Sequence, residues 1–346
     1  MKEKGTLPYV DILKFIFAVL IFLLHTGILS LIPFYSETQA ITVRFAVPFF
    51  FVASGFFLAN KLNYLQSRNE RKQATCKYCK RLGEKLLVFE PISIIILVAG
   101  RIVVEHMKPY SIISITIKEI LFYPRGALWY IQAMIVAAII LFPFIDSRKE
   151  KVAIIPAMFL YIIALLGNRY YFLIENTCFS SLITSYESIF ISVRNGVFVG
   201  FPFMLCGCLI AKYQDKLKAL KAKTHVILFL FGAIMVCLES LLLRSYTGHD
   251  DSSLYLSYLF AVPALFSAAA FQYDERSLGC KTIVLRHLST SIYLLHSPIG
   301  RIVKYAMSFT MYENLWANGV ISAGVISIIC IAVYKYKIKP LYRWLV

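Results

Sequence analysis

The sequence predicts an all-α polytopic membrane protein: a bundle of about ten transmembrane helices with both termini in the cytoplasm. Three observations carry this. First, 59% of the 346 residues are hydrophobic and only 16% are charged, against about 25% charged in an ordinary soluble domain. Second, the apolar residues come in long blocks such as Pro8 to Leu31, Ala46 to Ala59, Ile189 to Ala211 and Asn318 to Tyr334. Blocks near 20 residues match a hydrocarbon core of about 30 Å at 1.5 Å per residue. The backbone must satisfy its own hydrogen bonds there, so the blocks are helices. A barrel would need short alternating segments instead. Third, Lys and Arg concentrate in alternate connections between the blocks.

The spans fall near 9–31, 44–61, 84–104, 127–145, 152–168, 194–211, 224–243, 254–272, 286–306 and 316–334. They form a single integral membrane domain over 1–346. The first block is too long for a signal peptide and lacks a small-residue cleavage site, so it reads as a retained span. With the N-terminus inside, the inner segments hold Lys2, Lys4, the run Lys61 to Lys85, Arg148 to Lys151, Lys212 to Lys223, Arg276 to Arg286 and Lys335 to Arg343. These are most of the 36 basic residues. Their placement explains the net charge of +17 through anionic lipid rather than nucleic acid.

The connections differ in kind. Residues 61–83 read as a long basic loop suited to an anionic cytoplasmic ligand or to lipid headgroups. Residues 105–126, with His106, Lys108, Tyr110, Tyr123 and Arg125, and residues 169–193, rich in Tyr, Ser, Asn and Glu, read as outer loops. They would line an outward-facing acceptor site or serve as solvated connectors. No internal repeat of the kind many transporters carry is evident. The eight cysteines form no disulfide framework. Cys76 and Cys79 make one C-x-x-C without a second ligand pair, so no metal site is expected.

Ionisable residues inside spans are costly and mark candidate sites. Asp11 and Lys14 are three apart and can pair on one face of the first helix. They lie near the inner interface, where a structural role and a functional one are both open. His25 lies eleven residues after Lys14, about 16 Å further along the helix. It is either a hydrogen-bonded core histidine or a general base in a water-lined passage. The ninth span carries a second histidine in Tyr293-Leu-Leu-His296-Ser297-Pro298. Pro298 frees a backbone carbonyl one turn earlier. The second span holds Arg44, Pro48, Ser54 and Gly55. The sixth opens Arg194-Asn195-Gly196 and continues through Gly200, Pro202 and Gly207, a density of small residues and Pro that permits close packing and kinks.

Together these residues resemble acyltransferase family 3, the bacterial membrane acyltransferases that modify extracytoplasmic sugars and other acceptors. The opening stretch Tyr9-Val-Asp11-Ile-Leu-Lys14, with Ala18 and His25, is similar to the family's L-D-x-x-R-x-x-A pattern and the histidine eleven positions on. Arg44-Phe-Ala-Val-Pro48-Phe-Phe-Phe-Val-Ala-Ser54-Gly55 is similar to a basic residue before P-x-F-F-x-x-S-G. Leu128-Trp129-Tyr130, the Arg194 block and the His296 segment follow in family order. The family has ten spans, in agreement with the count made from hydropathy and charge.

The resemblance implies an acyl-coenzyme A donor, acetyl-CoA above all, and an extracytoplasmic hydroxyl acceptor such as an envelope saccharide. The setting it implies is the lipid bilayer of a bacterial cytoplasmic membrane. Lys14, Lys80, Arg81, Lys85 and Ser54 would bind the donor. His25 would deprotonate the acceptor or take the acyl group transiently, with Arg44 and Arg194 orienting the acceptor or stabilising the oxyanion. Trp129, Tyr130, Asn195 and His296 would contact substrate. Two departures bear on donor binding. Lys14 stands for the usual Arg and loses the bidentate fork for phosphate, and Glu84 stands where a second Arg often falls.

The Arg194 block also resembles the membrane part of the membrane-bound serine racemases of vancomycin-resistant bacteria. That resemblance implies a transport module for L-serine or another small amino acid. No racemase domain follows the last span in this sequence, which would make it a truncated or stand-alone relative. A third reading is a structural or sensing protein that kept the fold and lost the chemistry, as the replacement by Glu84 would suggest.

Overall fold

A computed structural model describes residues 7–31, 35–246, 253–271, 282–310, 314–338, 342 and 345. Lys2, Lys4, Arg276, Lys281, Lys339 and Arg343, which the orientation argument uses, lie outside the described residues, as does residue 272 of the eighth span. Among the described residues the regular structure is helical, with no strand. Its principal helices are α1 (Pro8–His25), α2 (Ala46–Asn63), α3 (Arg68–Val103), α4 (Pro109–Phe122), α5 (Leu128–Asp146), α6 (Ile154–Leu166), α7 (Cys178–Phe190), α8 (Phe201–Lys212), α9 (Ala222–Leu242), α10 (Tyr258–Phe271), α11 (Thr282–Ser308) and α12 (Leu315–Tyr336).

Among the described residues six helical segments are long and apolar enough to cross a membrane: α1, Gln39–Asn63, α3, α5, α9 and α12. Shorter apolar helices cover Gly196–Lys212 and Tyr258–Phe271. The chain is therefore a polytopic membrane helix bundle, and each of the ten expected windows holds a helix.

Three expectations need correction. The first helix stops at His25 instead of running to Leu31. Thr26 and Gly27 close it, with Gly27 at a φ of +77°, a left-handed conformation that glycine adopts without a Cβ penalty. The basic stretch 61–83 is not a loop, because α3 begins at Arg68. Ser67 and Glu70 form a reciprocal capping box there, each side chain accepting the other's backbone N–H at 3.1 Å, and this satisfies donors that a helix start leaves open. At 36 residues, α3 is about 54 Å long and exceeds the hydrocarbon thickness, so part of it projects beyond the bilayer. Finally, both connections read as outer loops contain helices. Pro109 starts α4 at a position where its missing N–H costs nothing, and Thr177 caps α7 by accepting from the Phe179 N–H at 3.2 Å.

The chain divides into two compact units. The first comprises residues 1–36, 85–128 and 274–346. Within it α1 packs along α11, and α12 packs against α11. Asp11 and Lys14 do lie one turn apart, but the carboxylate goes elsewhere. Asp11 is fully buried, and its two oxygens accept from Nε and Nη2 of Arg286 on α11 at 2.9 and 2.8 Å. This is the bidentate geometry that makes Arg–carboxylate pairs strong. Lys14 remains within electrostatic range of both.

The second unit comprises residues 37–84 and 129–273. Its centre is the α2–α8 contact, built on glycine. A Cβ on Gly55 would lie 2.0 Å from the Met204 carbonyl oxygen, and one on Gly207 would lie 2.0 Å from that of Val52. Each backbone thus occupies the place of the other's side chain, the small-residue mode of membrane helix packing. Phe49, Phe51, Phe56, Phe203 and Phe266 fill the space around this contact and are buried.

Two outcomes follow. Gly55→Leu is expected to cost at least the ~1–3 kcal/mol of an overpacked core, since the obstruction is backbone. Gly83→Ala, with nothing within 4 Å of its Cβ, is expected to keep or raise stability. Thermal melts read by fluorescence-detected size-exclusion chromatography check both. Asp11→Ala is expected to cost about 3 kcal/mol, the low end for a broken buried pair, because the Arg286 side chain keeps 37% of its surface exposed. Melting curves that leave Asp11→Ala indistinguishable from the parent would refute this.

Candidate functional site

In the first unit, the packing of α1 on α11 brings together two of the expected site residues. The imidazoles of His25 and His296 stack with centroids 5.1 Å apart and planes 28° from parallel. His25 is the last residue of α1, at the helix end that favours positive charge, and its ring is exposed. His296 is 2% exposed. Its Nδ1 lies 3.1 Å from the Ile292 carbonyl oxygen. A carbonyl only accepts, so Nδ1 carries the proton and, in the neutral ring, Nε2 presents a lone pair. That Nε2 is buried and has no hydrogen-bond partner among the described residues. An unprotonated nitrogen held out of water beside a second, accessible imidazole is a composition suited to receiving a proton.

The surroundings of this pair are anchored on α11. Tyr293, whose ring lies 5.9 Å from that of His296, donates its hydroxyl to the Ala127 carbonyl. One turn further, Ser297 Oγ sits where a Cβ on Gly126 would fall, at 2.0 Å. Gly126 has a φ of +70°, so only glycine gives both the close approach and the backbone turn. Lys14 is half-buried on α1, and Lys85, also half-buried, belongs to the same unit.

The second unit holds the other expected residues. Ser54 and Tyr130 share a hydrogen bond of 3.3 Å. Ser54 also donates to the Met134 sulfur at 3.2 Å, which leaves the Tyr130 hydroxyl as donor to Ser54. Tyr78 of α3, not singled out from sequence, donates to the same sulfur at 3.7 Å. Tyr130 is buried against Phe51 at 4.6 Å between centroids. Lys80 and Arg81 are exposed on the projecting part of α3. Their spacing with Lys77 and Lys85 sets a basic stripe along one side of the helix.

Arg194 and Trp129 also meet, with the guanidinium carbon 5.8 Å from the ring centroid, within cation–π range. Arg194 Nη1 reaches Ser253 Oγ at 3.4 Å. Arg44 sits in a one-turn 3-10 segment, Val43–Phe45, ahead of α2, and its Nε donates to Gln39 at 3.3 Å. Asn195 is an N-cap. Its side-chain oxygen accepts from the N–H groups of Val197 and Phe198 at 2.9 and 3.2 Å. Its amide donates to Tyr186 Oη at 2.8 Å and to the Ser192 carbonyl at 3.1 Å. With its amide so occupied, Asn195 positions the π-helical turn Gly196–Gly200, a departure often found at functional sites. Among the described residues no group of three or more His, Cys, Asp or Glu comes together to hold a metal.

Sequence reading missed Arg286, Tyr78 and a buried ionic network of Arg101, Glu119 and Arg125. Arg101 lies inside the third expected span, so the rule that singled out His25 could have found it; Arg125 falls just outside the fourth, where that rule does not reach. Glu119 carried no such signal, because α4 was read as a loop.

A family model described as an acyltransferase domain matches residues 7–335. Two amino-acid racemases of Enterococcus faecalis are similar to the chain. One is 27% identical over 98% of this chain and 47% of its own length. The other is 28% identical over 71% of this chain and 35% of its own length. A serine/alanine racemase of Enterococcus gallinarum is 26% identical over 86% of this chain and 40% of its own length. The chain thus spans less than half the length of the curated relatives it matches. No solved structure matches. With a helical membrane fold and a family match over nearly its whole length, the chain belongs to acyltransferase family 3.

Proposed function

We propose that this protein is a membrane O-acyltransferase that moves an acyl group, chiefly acetyl, from cytoplasmic acyl-CoA to a hydroxyl on an extracytoplasmic acceptor such as an envelope saccharide. It would work in a bacterial cytoplasmic membrane. The observation that carries the reading is the stacked pair of His25 and His296, whose buried member presents an unpartnered nitrogen.

In this reading His25 is the general base. It takes the proton of the acceptor hydroxyl as that oxygen attacks the thioester carbonyl. The carbon–oxygen bond forms, the carbon–sulfur bond breaks, and the proton goes from His25 to the departing coenzyme A thiolate. His296 would hold the His25 ring by stacking and accept a share of the positive charge that develops there. Lys14, Lys80, Arg81 and Lys85 would attract the anionic end of the donor. As lysines and a single exposed arginine, most of them act as point charges rather than bidentate clamps. Ser54 would bind the donor, and Trp129 with Arg194 would orient the acceptor. Arg44 would help neutralise the tetrahedral oxyanion.

The names of the relatives, amino-acid racemase and serine/alanine racemase, favour a second reading, uptake of L-serine or a similar small amino acid. Labelled-serine uptake into proteoliposomes without acyl-CoA would favour it.

For the leading reading, His25→Ala is expected to lower acyl transfer at least 100-fold with membrane insertion intact. Radiolabelled acetyl-CoA and intact-cell acceptor analysis measure this, and full transfer by the variant would remove His25 as base. His296→Phe keeps a stacking ring and loses both nitrogens. It is expected to retain folding and lose about tenfold or more of the rate, with the pH profile of transfer displaced. An unchanged profile would assign His296 a packing role alone.

A further inference from the structure

The first unit contains three arginines around one carboxylate. Arg101 is 5% exposed and Glu119 is 2% exposed. Nη1 and Nη2 of Arg101 donate to the two Glu119 oxygens at 3.0 and 2.6 Å, and Nη1 also reaches Thr116 at 3.2 Å. That pair is neutral, and both carboxylate oxygens are engaged. Yet Arg125, with 43% of its side chain exposed, also donates to Glu119, at 2.5 Å.

Arg301 of α11 joins the same group. Ser297 and Tyr305, one turn to either side of it, are pressed against Gly126 and Gly100, where added Cβ atoms would fall 2.0 Å from each side chain. This face of α11 is thereby turned to the α3–α4 segment, and Arg301 lies in electrostatic range of Glu119, Arg125 and Arg101. It is half-buried and makes no hydrogen bond or ion pair among the described residues.

The charges do not balance. One carboxylate faces three guanidiniums that cannot lose their protons, so two positive charges are in surplus. Buried or half-buried charge is costly unless paired. A guanidinium fork is the side chain best matched to carboxylate or phosphate. Arg101 is spent on Glu119, which leaves Arg125 and Arg301 to face a ligand. Arg301 lies five residues beyond His296 on α11, about 7.5 Å along the axis and about 140° around it.

We propose that Arg125 and Arg301, braced by the Arg101–Glu119 pair, form an anion-binding site for the carboxylate or phosphate of a hydroxyl-bearing acceptor. This rests on the acyl-transfer reading for its role, while anion binding itself is independent of transfer. The acceptor class is therefore acidic: a uronate-type sugar or a polyol phosphate rather than a neutral glycan.

The test uses the full chain in lipid nanodiscs without acyl-CoA. Binding of glucuronate against glucose, and of glycerol phosphate against glycerol, is measured by calorimetry. The expected result is that at least one anionic probe binds at least tenfold more tightly than its neutral counterpart, and which pair does so identifies carboxylate or phosphate. Arg301→Gln and, separately, the exposed Arg125→Gln are expected to erase the preference, and Arg301→Lys to restore part of it, with the unliganded melting temperature of Arg301→Gln equal to or above that of the parent. Equal binding of charged and neutral probes, or a preference that survives both Gln variants, would overturn the proposal. Anion binding without transfer to any hydroxyl acceptor would uphold the site and sink the enzyme reading. Transfer to neutral acceptors as readily as to acidic ones would uphold the enzyme and sink the site.

Discussion

A carboxylate on α1, withdrawn from solvent, meets a guanidinium reaching it from α11. Asp11 has no exposed surface and gives both oxygens to Arg286. An ion in that setting tolerates few alternative partners, so the pair sets the register between the two helices. The interval from Asp11 to His25 advances α1 by about 21 Å, and that from Arg286 to His296 advances α11 by about 15 Å. The difference of about 6 Å is the reach of an arginine side chain directed toward its helix's N-terminus. The ion pair and the histidine stack are thus two ends of one alignment, and parallel helices are needed to satisfy both.

The remaining polar groups obey the same economy. Glu239 accepts from the N–H groups of Leu256 and Ser257 at 2.6 and 2.8 Å and from the hydroxyls of Tyr170 and Ser257. A carboxylate that would be expensive in an apolar block is thereby satisfied. Tyr161 and Tyr258, both fully buried, donate to the carbonyls of Tyr255 and Ala40 at 2.7 and 2.6 Å. Among the exceptions are two groups on α11: His296 Nε2, buried without a hydrogen-bond partner among the described residues, and the half-buried Arg301, which makes no hydrogen bond or ion pair among them.

The centre of the second unit is set by shape. Gly55 and Gly207 bring α2 and α8 to backbone contact. With lipid chains as apolar as the helices themselves, close van der Waals packing and interhelical hydrogen bonds hold such pairs. The aromatic side chains around that contact then find fixed places, and the Ser54–Tyr130–Met134 cluster takes its geometry from them. Asn195, capping the π turn ahead of α8, starts the helix where Gly196 can pass the Ala133 carbonyl.

The sequence by itself determined the membrane class, the ten helical windows and the family resemblance. Each is a property of local pattern: unbroken apolar runs that only helices can carry through lipid, and motifs read in order. It pointed to His25 and His296 one at a time, because an ionisable residue in an apolar run is conspicuous wherever it occurs. Pairings were beyond it. Asp11 looked to Lys14, its neighbour in sequence, while a partner 275 positions away takes both oxygens. The α4 and α7 helices were hidden because amphipathic segments short of a full span resemble polar loops, and with α4 went Glu119 and the arginine network. That the two histidines stack, that Arg286 closes on Asp11, and that three arginines converge on one carboxylate are facts of tertiary structure, decided when packing brings distant helices side by side.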